Sequence, residues 1–195
     1  MSMKSLRCLI AGLAASSVMA ATALSVSTPA FASGVEDTRQ LVVTALDYNS
    51  TGWTYLQVPS AADVPLFYER GFDDSTWQTG QSGFGTATGC SFNNPTNVKT
   101  PWAVNTDILV RHWFHIPRDA QQVRIQGTVD NDAQVYLNGH LVQTAKSGHC
   151  KTGAIDVVVP AGYLDCCNLL AIRGHDYGGS TYLNVRVTYV KPTQS

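Results

Sequence analysis

Apolar and polar side chains alternate most regularly in residues 123–142, which read VRIQGTVDNDAQVYLNGHLV. This period of two predicts two half-buried β-strands, because successive side chains of a strand point to opposite faces. The Asp-Asn-Asp cluster at 130–132 separates the two runs and is typical of a tight turn. An Asn-Gly pair at 138–139 provides the positive φ angles of a two-residue hairpin turn. We therefore expect two successive antiparallel turns in this stretch.

The rest of the chain supports an all-β fold. Gly, Pro, Asn and Thr interrupt it at short intervals, and no long stretch has helical periodicity, which favours a β-sandwich or barrel. Trp53 and His112 fall on apolar strand faces, so both are expected in the core. Further strands are predicted at residues 40–47, 52–58, 107–116 and 154–159, with a closing antiparallel pair at 168–175 and 180–190.

Four motifs resemble those of a known family. Residues 127–139, GTVDNDAQVYLNG, resemble the D-D/N-D-x-x-V-Y-V-N-G core of galactose-binding-domain-like jelly rolls. Residues 71–85 resemble the F-D-D-S-x-W entry segment of the family, 107–114 its L-R-R-x-F strand, and 168–179 its N-L-L-A-V-R-x-x-D-x-G-G segment. The resemblance covers roughly residues 53–190.

The resemblance implies an antiparallel jelly-roll β-sandwich of the kind that accompanies bacterial secreted glycoside hydrolases, including β-galactosidases. Some relatives bind a structural calcium ion, which draws attention to Asp73 and Asp74 in the entry segment. Read by themselves, these carboxylates next to Ser75 are typical of a turn or a helix cap. The sequence shows no full set of the oxygen ligands that calcium needs, and no other cofactor is expected.

Residues 1–32 are typical of a secretory signal peptide. Lys4 and Arg7 precede an Ala-rich apolar run, and Ala30-Phe31-Ala32 is a cleavage site; a membrane anchor is the alternative. Cleavage leaves residues 33–195 as one secreted domain. The net charge of −1 then becomes −1 − 2 = −3, with no basic run. Nucleic acid and anionic membrane surfaces are therefore poor candidates for a partner.

Four cysteines follow the cleavage point, and export favours disulfides among them. Their spacing alone leaves three connectivities open. The resemblance implies a bond between Cys90 and Cys150, since relatives share similar positions. Cys166 and Cys167 would then form a strained vicinal disulfide or remain thiols. A zinc site that adds His149 is a further alternative, although its spacing is unlike a zinc ribbon or finger.

The binding candidates are exposed aromatic and polar side chains. Trp102 directly follows a long polar loop, residues 81–101, and is predicted to be partly exposed, so that it stacks on a sugar ring. A second set shares the outward face of one predicted strand, unless the N-terminal segment covers it: Arg111, Trp113 and His115. A third set is the acidic turn, which could equally serve only to cap the backbone: Asp130, Asn131 and Asp132.

These observations predict a secreted, non-catalytic carbohydrate-binding or adhesion module, with a neutral sugar as the expected ligand. Two alternatives stay open: a structural or protein-interaction domain of the cell surface, and a small secreted glycosidase that uses a pair of Asp residues. No recognisable catalytic motif supports an enzyme.

Overall fold

The computed structural model describes residues 40–192, so the predicted signal peptide lies outside the described residues. Two six-stranded sheets form a jelly-roll-like β-sandwich, which confirms the predicted fold class. Within residues 40–192 the only other regular element is a single 3-10 turn, Ala161–Tyr163. No helix in this part of the chain is long and apolar enough to cross a membrane.

The first sheet has the strand order β10-β7-β12-β4-β5, and β1 also pairs with β12. Its pairs are antiparallel except β4 with β5, which is parallel. The strands are β1 (Leu41–Leu46), β4 (Phe84–Gly85), β5 (Thr100–Pro101), β7 (Gln121–Asp130), β10 (Lys151–Val158) and β12 (Tyr182–Lys191).

The second sheet has the order β3-β2-β6-β11-β8-β9 and is antiparallel throughout. Its strands are β2 (Thr51–Pro59), β3 (Gln78–Gln81), β6 (Thr106–His115), β8 (Asp132–Leu137), β9 (His140–Lys146) and β11 (Cys167–His175).

One of the two predicted turns is a hairpin and the other is not. Leu137 lies opposite His140, with Asn138 at φ 51° and Gly139 at φ 91°, as the hairpin prediction requires. Residues 130–132 instead carry the chain from β7 in one sheet to β8 in the other. The predicted closing pair is also wrong, since β11 and β12 belong to different sheets. Period two reveals an extended strand but not its neighbour, which explains both errors.

The hydrophobic core lies between the sheets. Trp53 is fully buried there, as predicted, together with apolar side chains that alternate along the central strands. His112 is half-buried against the Trp53 ring, and its Nε2 donates to the Thr51 carbonyl at 2.9 Å. Full burial of each large apolar side chain contributes about 1.5–3 kcal/mol, so this core accounts for the cohesion of the sandwich.

A second, smaller apolar cluster lies on the outer face of the second sheet. There, residues 60–77 cross the sheet and bury Phe67 against Leu109 and Ala171. This covering segment hides the middle of the outer face. The end of that face beside Pro59 remains open and contains the site described next.

Candidate functional site

Four neighbouring strands bring charged side chains into one row at the end of the second sheet. Asp107 on β6 lies opposite His175 on β11, His175 opposite Asp132 on β8, and Asp132 opposite Lys146 on β9. Adjacent strands are about 4.8 Å apart, so neighbours along this row are within reach of one another. Acidic and basic side chains therefore alternate from strand to strand at this end of the sheet.

The next row on the same face completes the floor of a groove. Arg173 lies opposite Gln134, and Gln134 opposite Thr144. Ala61, at the start of the covering segment, also lines the groove. The groove has a volume of about 390 Å³, which falls within the usual size of a small-molecule site.

Asp107 fixes the position of the two basic groups on β11. Its side chain is 1% exposed. Its Oδ2 accepts from Arg173 Nε at 2.6 Å, and its Oδ1 accepts from His175 Nδ1 at 2.5 Å. Arg173 Nη2 also donates to the Ala62 carbonyl at 2.8 Å. Arg173 and His175 are thus held in the groove by a buried carboxylate.

Asp132 is held equally firmly. Its Oδ1 accepts from the backbone amides of Ser147 at 2.8 Å and Gly148 at 3.0 Å, and its Oδ2 accepts from the Tyr177 hydroxyl at 2.7 Å. Burial raises the pKa of Asp132, but these hydrogen bonds and the nearby His175 outweigh it, so the pKa lies below its usual value. Asp132 is therefore ionised at neutral pH.

Tyr177 provides an exposed aromatic ring at the rim of the groove. The residue is 60% exposed. Its ring packs edge-to-face on His175 at 4.6 Å between centroids, and its backbone amide donates to Asn131 Oδ1 at 2.8 Å. Since both its backbone and its hydroxyl are anchored, this ring presents a fixed apolar surface beside polar groups.

Trp102 does not have the predicted exposure. It is 1% exposed, lies in the main core, and its Nε1 donates to Thr106 Oγ1 at 3.1 Å. Its backbone amide donates to the Gly85 carbonyl, next to the short parallel pairing of β4 with β5. That pairing draws the end of the long loop into the sandwich, so Trp102 cannot stack on an external sugar.

The predicted set on β6 is divided by the covering segment. Arg111 is buried, because residues 60–77 lie over it; the N-terminal segment lies outside the described residues. Trp113 remains 44% exposed under the guanidinium of Arg70, which lies 5.1 Å from its ring centroid. His115 is exposed beyond it. Trp113 and His115 thus lie at the end of the face opposite the groove.

The acidic turn is also divided. Asp130 and Asn131 are buried, whereas Asp132 lines the groove. Asp130 accepts from Asn131 Nδ2 at 2.7 Å and from Ser180 Oγ at 2.8 Å, and burial raises its pKa. Internal partners and lack of exposure exclude Asp130 and Asn131 from direct contact with a ligand.

The cysteine pairing agrees with the expectation. Cys90 and Cys150 lie within bonding distance, with 6.0 Å between their Cα atoms, and both sulfur atoms contact the Asp130 carboxylate. The pairing ties the long loop to the start of β10. Cys166 and Cys167 are not joined to each other, and Cys167 Sγ lies 3.3 Å from His115 Nδ1.

The expected calcium role finds little support in the donor geometry. Asp176 Oδ1 is buried without a hydrogen-bond partner among residues 40–192, which is the kind of oxygen a cation would use. However, the only group of three Asp, Glu, His or Cys donors that residues 40–192 bring together is Cys90, Asp130 and Cys150. Calcium also accepts amide and backbone carbonyl oxygens, so the expected calcium role stays a prediction.

Most of the groove was not predictable from the sequence. Arg173 and His175 are two residues apart on a predicted strand, so their shared face was readable from the sequence. Their partner Asp107 was not, because it comes from a strand distant in sequence, and the same holds for Lys146 in the same row. Tyr177 was visible only as part of the Asp-Tyr-Gly-Gly loop motif.

Similar folds occur within larger enzymes. The chain superimposes on part of a β-glucuronidase from Bacteroides uniformis, with 15% identity, a TM-score of 0.54, and coverage of 76% of this chain and 18% of that enzyme. A second structure from this organism, β-glucuronidase 2 covalently bound to cyclophellitol-6-carboxylate aziridine, gives 16% identity, a TM-score of 0.54 and the same coverage. A β-glucuronidase from an uncultured Clostridium gives 16% identity, a TM-score of 0.50, and coverage of 80% and 30%.

These similarities establish the fold and no more, since the identities are low and the chain spans less than a third of each enzyme's length. No protein-family model matches the sequence, and no curated protein matches it either.

Proposed function

We propose that the protein is a secreted, non-catalytic carbohydrate-binding module that holds a saccharide in the groove at the end of the second sheet. One observation carries the proposal: fixed polar side chains line an open groove, and the exposed ring of Tyr177 contacts two of them, His175 and Asp132. Saccharides present hydroxyl groups at their edges and C–H groups on their faces. The polar side chains of the groove can bond the hydroxyl groups, and the Tyr177 ring can pack on the C–H groups.

The groove offers both hydrogen-bond donors and hydrogen-bond acceptors. Gln134 and Thr144 line it, and neither side chain forms a hydrogen bond within residues 40–192, so their amide and hydroxyl groups are available. Arg173 and His175 add donors whose direction is fixed by Asp107. Preorganised groups lose little conformational entropy on binding, which favours affinity from a small contact.

A binding role fits the two carboxylates better than a catalytic one. A glycosidase needs one carboxyl with a raised pKa to protonate the leaving group. The pKa of Asp132 is lowered instead. Asp107 is buried and already engaged by Arg173 and His175. Neither group is set up to donate a proton to a glycosidic oxygen.

The fold similarity supports the proposal indirectly. The similar structures are β-glucuronidases, enzymes that act on carbohydrate, and the chain matches a fraction of each. Export is supported by the signal-like residues 1–32 and by the Cys90–Cys150 pairing.

A glycan array followed by calorimetry tests the proposal. Tyr177→Ala should weaken binding of the best saccharide by about 1–2 kcal/mol, the scale of aromatic contact and burial. Tyr177→Phe keeps the ring and should retain most of the affinity. Tyr48→Ala, which removes an exposed tyrosine stacked near Arg186 on the first sheet, is the matched control.

Circular dichroism of each variant should match the parent protein. If Trp113→Ala abolishes binding while Tyr177→Ala does not, the site lies at the opposite end of the face. If no saccharide binds across the array, the carbohydrate proposal is wrong and a structural or protein-interaction role takes its place.

A further inference from the structure

We propose that the saccharide bound in the groove carries an anionic group, a carboxylate or a sulfate, which Lys146 and Arg173 recognise. The inference rests on the proposed carbohydrate function and narrows its ligand class. It differs from the neutral sugar expected from the sequence, because it follows from which hydrogen-bonding groups of the groove are already occupied.

The acidic groups of the groove are already engaged by donors of the protein itself. Asp107 is 1% exposed, and each of its oxygens accepts from a basic side chain. Both oxygens of Asp132 are also occupied, Oδ1 by two backbone amides and Oδ2 by the Tyr177 hydroxyl. The two carboxylates therefore fix the positions of the groove's own side chains and backbone amides.

The basic groups retain free donors. Lys146 has no ion pair or hydrogen bond to any side chain within residues 40–192, although its strand neighbour in the row is Asp132. Arg173 uses Nε and Nη2 for Asp107 and Ala62, which leaves Nη1 without a partner in the described chain. Both residues line the groove, so their free N–H groups are available to a ligand.

This imbalance favours an anionic ligand. Hydrogen bonds between ionised partners are roughly twice as strong as those between neutral groups, and a planar guanidinium suits carboxylate and sulfate oxygens. A neutral hydroxyl would replace the water on Lys146 with little gain. The net charge of the whole chain is −1, so the preference must arise locally and not from a generally basic surface.

The test compares anionic saccharides with neutral forms of the same backbone by calorimetry. One arm uses oligogalacturonate and its methyl ester; the other uses a sulfated galactan oligosaccharide and its desulfated form. We expect the parent protein to bind one anionic form at least about tenfold more tightly than its neutral counterpart, which is a difference of about 1.4 kcal/mol. The pair of saccharides that shows this difference identifies the anion as a carboxylate or a sulfate. The preference for the anionic form should weaken as salt concentration rises.

Lys146→Met should remove most of the preference for the anionic form. Lys191→Met, at the end of β12 in the other sheet, is the matched control and should keep it. Equal affinity for both forms, with Tyr177→Ala weakening both, would overturn the anionic inference and leave the carbohydrate proposal standing. Failure of every form and of the wider array would overturn both.

Discussion

Arg111 anchors the covering segment, and its removal should destabilise the protein strongly. Its Nε donates to Asp74 Oδ2 at 2.8 Å, and its Nη1 donates to the carbonyls of Phe67 and Glu69. The guanidinium also lies 5.3 Å from the centre of the Phe72 ring. One side chain, 1% exposed, thus contacts residues 67–74 at several points.

The magnitude follows from the burial of these partners. Breaking a buried ion pair by removing one partner costs about 3–5 kcal/mol, and each carbonyl left without a donor adds to that cost. Asp74 is 25% exposed and still accepts from Thr54 Oγ1 at 2.7 Å, so it can be partly rehydrated. We therefore expect Arg111→Met to lower the free energy of unfolding by about 3 kcal/mol.

Urea unfolding measures this change, and Arg124→Met is the matched control. Arg124 pairs with Asp156 through two contacts of 2.6 Å, but both side chains are more than 40% exposed. A solvent-exposed ion pair contributes little to the free energy of unfolding, so Arg124→Met should change it only slightly. If Arg111→Met costs no more than Arg124→Met, apolar packing at Phe67 holds the segment, and the ionic anchor is not needed.

Two further predictions concern the disulfide and His112. Peptide mapping without reduction should recover Cys90 linked to Cys150, and reduction should lower the free energy of unfolding by about 4 kcal/mol, the value for a separation of 60 residues; recovery of another linkage would contradict the pairing. Burial lowers the pKa of His112 below the 6.5 of the unfolded chain, so its contribution to stability is complete above that pH and declines as pH falls through the folded pKa. Urea unfolding at a series of pH values should show this decline, and His112→Phe should flatten it; parallel curves would mean that the sandwich tolerates a charged His112.

The fold was more predictable than the strand pairing. Alternation along residues 123–142 is a local property, and it identified β7, β8 and the hairpin at 138–139 correctly. Pairing depends on residues far apart in sequence. The assumption that strands adjacent in sequence pair with each other therefore failed at 130–132 and between β11 and β12.

The candidate site was also only partly predictable from the sequence, because burial depends on contacts between distant segments. A tryptophan at the end of a polar loop looks exposed in the sequence, but the β4–β5 pairing buries Trp102. Alternation placed Arg111 on an outward face correctly, yet it could not show that residues 60–77 cover that face. Asp132 alone among the predicted binding residues lies in the groove, because the groove is assembled from four strands that the sequence does not order.

The covering segment and the groove meet at residues 61 and 62, yet separate contacts hold them. Arg111 acts on residues 67–74, whereas Arg173 bonds the Ala62 carbonyl and Asp107 Oδ2 lies 3.4 Å from the Ala61 amide. The wall of the groove is therefore fixed by the same buried carboxylate that fixes Arg173 and His175. It follows that loss of Arg111 should loosen the middle of the face while the groove keeps its shape. Stability measured on Arg111 variants and affinity measured on Lys146 or Tyr177 variants thus report on different contacts.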